Sequence, residues 1–130
     1  MLSSMPHLRL EHSDNLAGTL DPRQLFTQLH AVLITLETFN PADLKSRCLP
    51  VHDAQVGDGS GNSSFAHLEV SLLAGRDVSV RQRVAHLCLR AMEAHFATAL
   101  TSQDCQLSVE VREMERASYA KHRSGDVPAG

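Results

Sequence analysis

Hydrophobic and polar residues alternate through His7-Leu8-Arg9-Leu10-Glu11, the period of two expected of a strand with one buried face. Ser13-Asp14-Asn15 and Gly18 then mark a loop. From Asp21 the period changes. Leu25, Phe26, Leu29, Val32, Leu33 and Leu36 fall on one stripe of an amphipathic helix. Asp21 can cap its free backbone N–H groups, Pro22 suits the first helical position, and Gln24 stands where a capping box places its partner. Asn40-Pro41 ends the helix. Leu44 to Val51 predicts a second strand, with Pro50 marking an edge, a bulge or the strand's last residue. Residues 53–64 form a polar, Gly-rich loop.

A second cycle follows. Phe65 to Leu73 is strand-like, with Leu68, Val70 and Leu72 on one face. Gly75-Arg76-Asp77 turns the chain, and Ser79-Val80-Arg81-Gln82 is a second capping-box candidate. Val80, Val84, Leu87, Cys88, Ala91 and Met92 continue a helical stripe that can run to about Leu100, before Gln103-Asp104. Leu107, Val109 and Val111 then alternate with polar residues as a fourth strand.

The chain thus reads strand–helix–strand twice, and His7-Leu8-Arg9-Leu10-Glu11 matches His67-Leu68-Glu69-Val70-Ser71 in type, as an internal duplication would. Parallel strands need crossovers, which the helices supply. The predicted fold is α+β: two β-α-β units, about 6–52 and 65–113, forming one four-stranded sheet with both helices on one face. Leu8, Leu10, Leu68, Val70 and Leu72 fill one sheet face. The other face is more mixed, which predicts its burial against other subunits. Residues 6–116 make a single domain, 1–5 a leader that need not belong to the mature protein, and 117–130 a polar tail, frayed from Gly125.

Length and composition narrow the possibilities. With 130 residues, 42% hydrophobic and 21% charged, the chain is an ordinary globular domain rather than a disordered chain or a rod. No apolar run approaches the roughly 20 residues of a membrane-spanning helix. A formal charge of -3 with no Trp and one Tyr argues against a nucleic-acid surface. Cys48, Cys88 and Cys105 are odd in number and lack C-x-x-C spacing, which fits reduced thiols in the cytoplasm. The start Met1-Leu2-Ser3-Ser4 is not a secretory signal.

Most candidate chemistry gives way to simpler readings. Eight histidines occur without an H-E-x-x-H motif, and His86 and His95 stand too far apart on one helix to chelate. Gly57-x-Gly59-x-Gly61 lacks the spacing of a phosphate loop and reads as a connector. No G-x-S-x-G elbow is present. Glu110, Glu113 and Glu115 read as a solvated face. Met5-Pro6-His7 has sharper meaning. If translation starts at Met5 and that Met is removed, Pro6 becomes an amino-terminal secondary amine at a strand end. Cations and apolar walls lower the pKa of such an amine, because its charged form loses solvation and is repelled. It could then act as a general base. On spacing alone, Pro6 is simply the start of a strand.

The run Pro6-His7-Leu8-Arg9-Leu10-Glu11-His12-Ser13-Asp14-Asn15 resembles the start of the 5-carboxymethyl-2-hydroxymuconate delta-isomerase family, of the tautomerase superfamily. Leu44-Lys45-Ser46-Arg47, Phe65-Ala66-His67, Ala74-Gly75-Arg76 and His95-Phe96-Ala97 resemble it in the same order, so the likeness runs from Pro6 to about Arg116. The resemblance implies a tautomerase-like fold, a homotrimer around a central channel, and an amino-terminal proline as proton-shuttling base, with no metal or organic cofactor. It implies a small-molecule polycarboxylate substrate, an acyclic dienol from homoprotocatechuate ring cleavage in aromatic catabolism. Pro6 is then the catalytic residue. Arg76 matches an arginine that the family uses near the proline, and it can hold a carboxylate with two parallel hydrogen bonds. Lys45 falls where the family usually carries a second arginine, keeping the charge without the fork. Arg47 would share a sheet face with Lys45 and is a weaker substrate-binding candidate. Two alternatives stay open: a tautomerase acting on a different oxo or hydroxy acid, and a non-catalytic trimeric binding or scaffold protein whose Pro6 nitrogen is blocked by the leader.

Overall fold

The computed structural model describes residues 6–36 and 39–127, and the leader 1–5 lies outside the described residues. Its elements are β1 (His7–Ser13), α1 (Pro22–Ile34), β2 (Lys45–Val51), β3 (Ser63–Leu73), α2 (Val78–His95), α3 (Ala97–Ser102) and β4 (Asp104–Met114). Single 3-10 turns occur at Asp14–Leu16, Pro41–Asp43 and Arg116–Ser118. The four strands form one sheet in the order β2-β1-β3-β4. β1 pairs parallel with β2, and β3 with β4, as each β-α-β unit requires. The units join through antiparallel pairing of β1 with β3, in which His7 stands opposite Ser71 and Glu11 opposite His67. Pro50 lies within β2, an edge strand, where its missing N–H is tolerated.

The alternation along each strand decides which face is covered. Leu8, Leu10, Ala66, Leu68, Val70 and Leu72 point toward the helices and are buried. Leu25, Leu29 and Leu33 of α1 and Val84, Cys88 and Met92 of α2 meet them in one core. Burial pushes the Cys88 thiol up to about 12, so it is an inert packing group. The opposite face carries His7, Arg9, Glu11, His67, Glu69, Glu110 and Arg112 in neighbouring rows. Arg9 pairs with Glu11 at 3.0 Å, and Arg112 with Glu110 at 3.0 Å and with Glu69 at 3.7 Å. These partners are exposed in the single chain, apart from the half-buried Glu69, so each pair contributes little to its stability.

Helix boundaries differ from the sequence reading in instructive ways. Asp21 caps α1 as expected, its side chain accepting from the Gln24 N–H at 3.2 Å. The Asp21 N–H, however, donates to His95 Nε2 at 3.2 Å, so the end of α2 takes the part expected of the Gln24 side chain. The predicted cap at Ser79 is not used. α2 starts at Val78, with Asp77 as its N-cap, because the Asp77 carbonyl already accepts from the Val80 and Arg81 N–H groups. The long second helix is interrupted at Phe96, which is buried, and resumes as α3. The sequence pattern of period 3.6 cannot register such a bend, since both pieces keep one apolar side.

The shared core makes a direct prediction. Leu68 lies in a central strand and is completely buried, so Leu68→Ala should cost about 2–5 kcal/mol, from lost burial and a residual cavity. Urea unfolding should show a lower midpoint with an unchanged slope.

Candidate active site

Strand directions determine what meets at the two ends of the sheet. β1 and β2 run together, whereas β3 and β4 run against them. The start of β1, the start of β2 and the ends of β3 and β4 therefore lie at the same end. Pro6 precedes β1, Lys45 opens β2, and Arg76 follows β3 in the turn before α2. Three residues far apart in sequence are thus delivered to one edge by topology alone.

Each is held there by local bonds. Pro6 is buried, and its carbonyl accepts from the Lys45 N–H at 3.3 Å. The Lys45 ammonium donates to the Asp43 carbonyl at 2.7 Å. Burial, then the Lys121 charge, lowers the pKa of Lys45. Arg76 donates from Nη1 to the Leu73 carbonyl at 3.3 Å, and its guanidinium carbon lies 4.7 Å from the centroid of the Phe39 ring. Phe39 is buried, so this cation–π contact is desolvated on one side. Gly75 adopts φ +122°, a conformation closed to side chains, and the turn that presents Arg76 depends on it. Burial, then the Arg116 charge, lowers the pKa of Arg76 below its ordinary value.

Arg47 points to the same face as Lys45, as the strand alternation requires, but it is engaged one step away. Its Nη2 donates to His7 Nδ1 at 2.6 Å. A guanidinium can only donate, so His7 Nδ1 is an acceptor and the ring is neutral, with its proton on Nε2. That nitrogen lies 3.0 Å from the Tyr119 hydroxyl, to which it donates. Burial is the main reason the pKa of His7 falls below its ordinary 6.5, followed by Arg47, Lys45 and Lys121.

The residues after β4 differ from the plain solvated tail expected. Arg116 Nε donates to the Ala74 carbonyl at 2.5 Å, Tyr119 meets His7, and the Lys121 ammonium pairs with Asp43 Oδ1 at 2.8 Å. The hydrogen bond from Lys121 is the largest cause of the lowered pKa of the nearly buried Asp43. Sequence reasoning missed Phe39, Asp43, Tyr119 and Lys121. One signal was available: Tyr119 is the chain's sole tyrosine and stands amid charged residues, where an aromatic group has little reason to be unless it docks.

Among the described residues, no group of three or more His, Cys, Asp or Glu side chains could hold a metal ion, and no helix is long and apolar enough to cross a membrane.

Comparison with known proteins gives a consistent result. The family model of 5-carboxymethyl-2-hydroxymuconate isomerase matches residues 6–124. The 5-carboxymethyl-2-hydroxymuconate Delta-isomerase of Escherichia coli is 30% identical over 110 residues, which is 85% of this chain and 87% of that protein. The crystal structure of a 5-carboxymethyl-2-hydroxymuconate isomerase from Deinococcus radiodurans R1 has a TM-score of 0.87 at 27% identity, covering 95% of this chain and 92% of its own. A fused 4-OT wild-type symmetric trimer shares the fold, with a TM-score of 0.68 at 15% identity over 93% of this chain and 94% of that one.

The environment of His7 predicts a pH effect with a definite sign. A pKa lower in the folded chain than in the unfolded one means that the folded state binds the proton less tightly. The stability that neutral His7 contributes is present above pH 6.5 and is lost as pH falls through its lower folded value. An NMR titration should place the His7 midpoint below 6.5. Arg47→Ala should raise the midpoint without bringing it fully to 6.5, because burial remains. A midpoint above 6.5 in the unaltered protein would contradict the assigned tautomer.

Proposed function

The chain belongs to the 5-carboxymethyl-2-hydroxymuconate isomerase family, and from that premise we propose that this isomerase moves a double bond in an acyclic, polycarboxylated dienol, with Pro6 as its base. The convergence of Pro6, Lys45 and Arg76 at one end of the sheet carries this reading. The family match that opens at residue 6 supports it. It requires a mature protein that begins at Pro6, as translation from Met5 and loss of that Met would leave it.

The chemistry follows from the residue types. A free prolyl nitrogen takes a proton from one end of the conjugated system and returns it to a carbon at another, so no atoms are gained or lost. The amine must be neutral when the ligand arrives. A cation about 6 Å away, at an effective dielectric constant near 20, costs the charged amine about 3 kcal/mol, or about two pKa units. Lys45 and Arg76 lie at the same sheet end as Pro6, and cations placed there would contribute such a field. Those cations also attract a polyanionic substrate to a protein whose overall charge is -3. Arg76 grips one carboxylate in a forked geometry and steadies the dienolate charge. Lys45 neutralises another, while Arg47 acts mainly through His7. The reaction needs no electron acceptor.

The charged outer face of the sheet suits assembly. In a homotrimer, like that of the fused 4-OT relative, the outer faces would turn toward a common centre, and the Arg9, Glu69 and Arg112 rows would find partners across it. A tautomerase acting on another oxo acid remains the second reading, favoured by Lys45, which offers a point charge where a fork would select geometry more strictly.

Steady-state kinetics tests the proposal. Pro6→Ala leaves a flexible primary amine in place of the rigid secondary one, and kcat/KM for 5-carboxymethyl-2-hydroxymuconate should fall about 10²–10⁴-fold. Arg76→Ala should lower it by about 10–100-fold, the worth of a charge-assisted pair. Wild-type activity in both variants would show that the site lies elsewhere.

A further inference from the structure

The segment after β4 crosses the whole end of the sheet. Arg116 touches the turn after β3, Tyr119 touches β1, and Lys121 reaches Asp43, just before β2. The three contacts follow strand order β3, β1, β2. Two strand spacings come to about 10 Å, and the residues from Arg116 to Lys121, which begin with a 3-10 turn, span them. The arm therefore crosses the edge where Pro6, Lys45 and Arg76 meet.

Asp43 lies at its far anchor and binds two ammonium groups. Its backbone carbonyl accepts from Lys45 at 2.7 Å, and its carboxylate accepts from Lys121 at 2.8 Å. One lysine can offer a carboxylate only a point contact, whereas a carboxylate presents two oxygens. Two lysines fixed on one residue can offer two points, as a guanidinium fork does. Asp43 takes one of the three N–H donors of Lys121, and the side chain keeps about a quarter of its surface exposed.

Resting on the function proposed above, we propose that Lys121 is a specificity-determining residue: with Lys45 it forms a two-lysine subsite for a carboxylate of the substrate, held together by Asp43. The electrostatics agree. Burial is the main cost of charging Lys45; Lys121, Arg123 and Arg47 add to it, with Asp43 opposing them. An incoming carboxylate relieves that repulsion, whereas an uncharged group at the same place does not. The arm thus selects for substrates that carry negative charge at the end bound beside β2.

The test uses muconate, a conjugated dicarboxylate with no hydroxyl to ketonise, so binding is read without turnover. Calorimetry on the full-length protein should show Lys121→Met weakening muconate about tenfold and Lys121→Arg restoring most of the loss. For the reacting dienol, the methionine variant should raise KM far more than it lowers kcat. An affinity within twofold of the parent would overturn the proposal. So would a loss that arginine fails to rescue and that tracks a fall in melting temperature, since the arm would then be only structural. The two proposals fail separately. Full turnover in Pro6→Ala removes the base and leaves the muconate result intact, whereas unchanged muconate binding removes the lysine subsite and leaves the base.

Discussion

The antiparallel pairing of β1 with β3 is the constraint from which the remainder follows. Each β-α-β unit buries only its own stripe of apolar residues, and neither supplies a two-sided core. Joined through β1 and β3, they present Leu8, Leu10, Leu68 and Val70 as one continuous surface beneath both helices. The same pairing reverses the second unit relative to the first. The end of β3 then lies beside the start of β1, and a turn from one half faces a terminus from the other. Had the units joined in parallel, Arg76 would lie at the opposite end of the sheet from Pro6. Fold stability and site assembly thus depend on the same ladder of hydrogen bonds.

Charge is handled differently on the two faces and at the edge. The helical side is apolar, with a few satisfied polar groups, such as His30 bonded to Ser46 at 2.7 Å. The outer face mixes both signs in adjacent rows. At the Pro6 edge cations gather: Lys45, Arg47 and Lys121 all act on His7. Crowding of this kind costs stability, and folded chains keep it where a ligand of opposite charge is to be met. The neutral His7 between Arg47 and Tyr119 spaces these groups without adding another positive charge.

Much of this was legible in the sequence, for identifiable reasons. Period-two runs located β1, β3 and β4, because each has one apolar face, whereas β2 carries Ser46, Cys48 and Pro50 on its inner side and shows no such run; the stripe from Leu25 to Leu33 located α1. The matching runs at His7 and His67 exposed the duplication, and with it the four-stranded sheet. The start of α2 and the break at Phe96 were not legible, since a backbone carbonyl does the capping and apolar spacing continues through the bend. The role of the C-terminal arm was hidden for another reason. Its anchors, Tyr119 and Lys121, are single polar contacts to residues distant in the chain, and no periodicity marks such contacts. Pro6, Lys45 and Arg76 entered through family resemblance, whereas their shared location is a consequence of strand direction.

The account turns on the state of one nitrogen. ¹⁵N NMR of protein labelled at its five prolines reads that state directly. A mature protein beginning at Pro6 should show one secondary-amine signal that titrates with pH, with a midpoint below that of a free prolyl peptide. Amide-type signals from all of the prolines, none of them titrating, in protein that still isomerises the dienol, would contradict the mechanism.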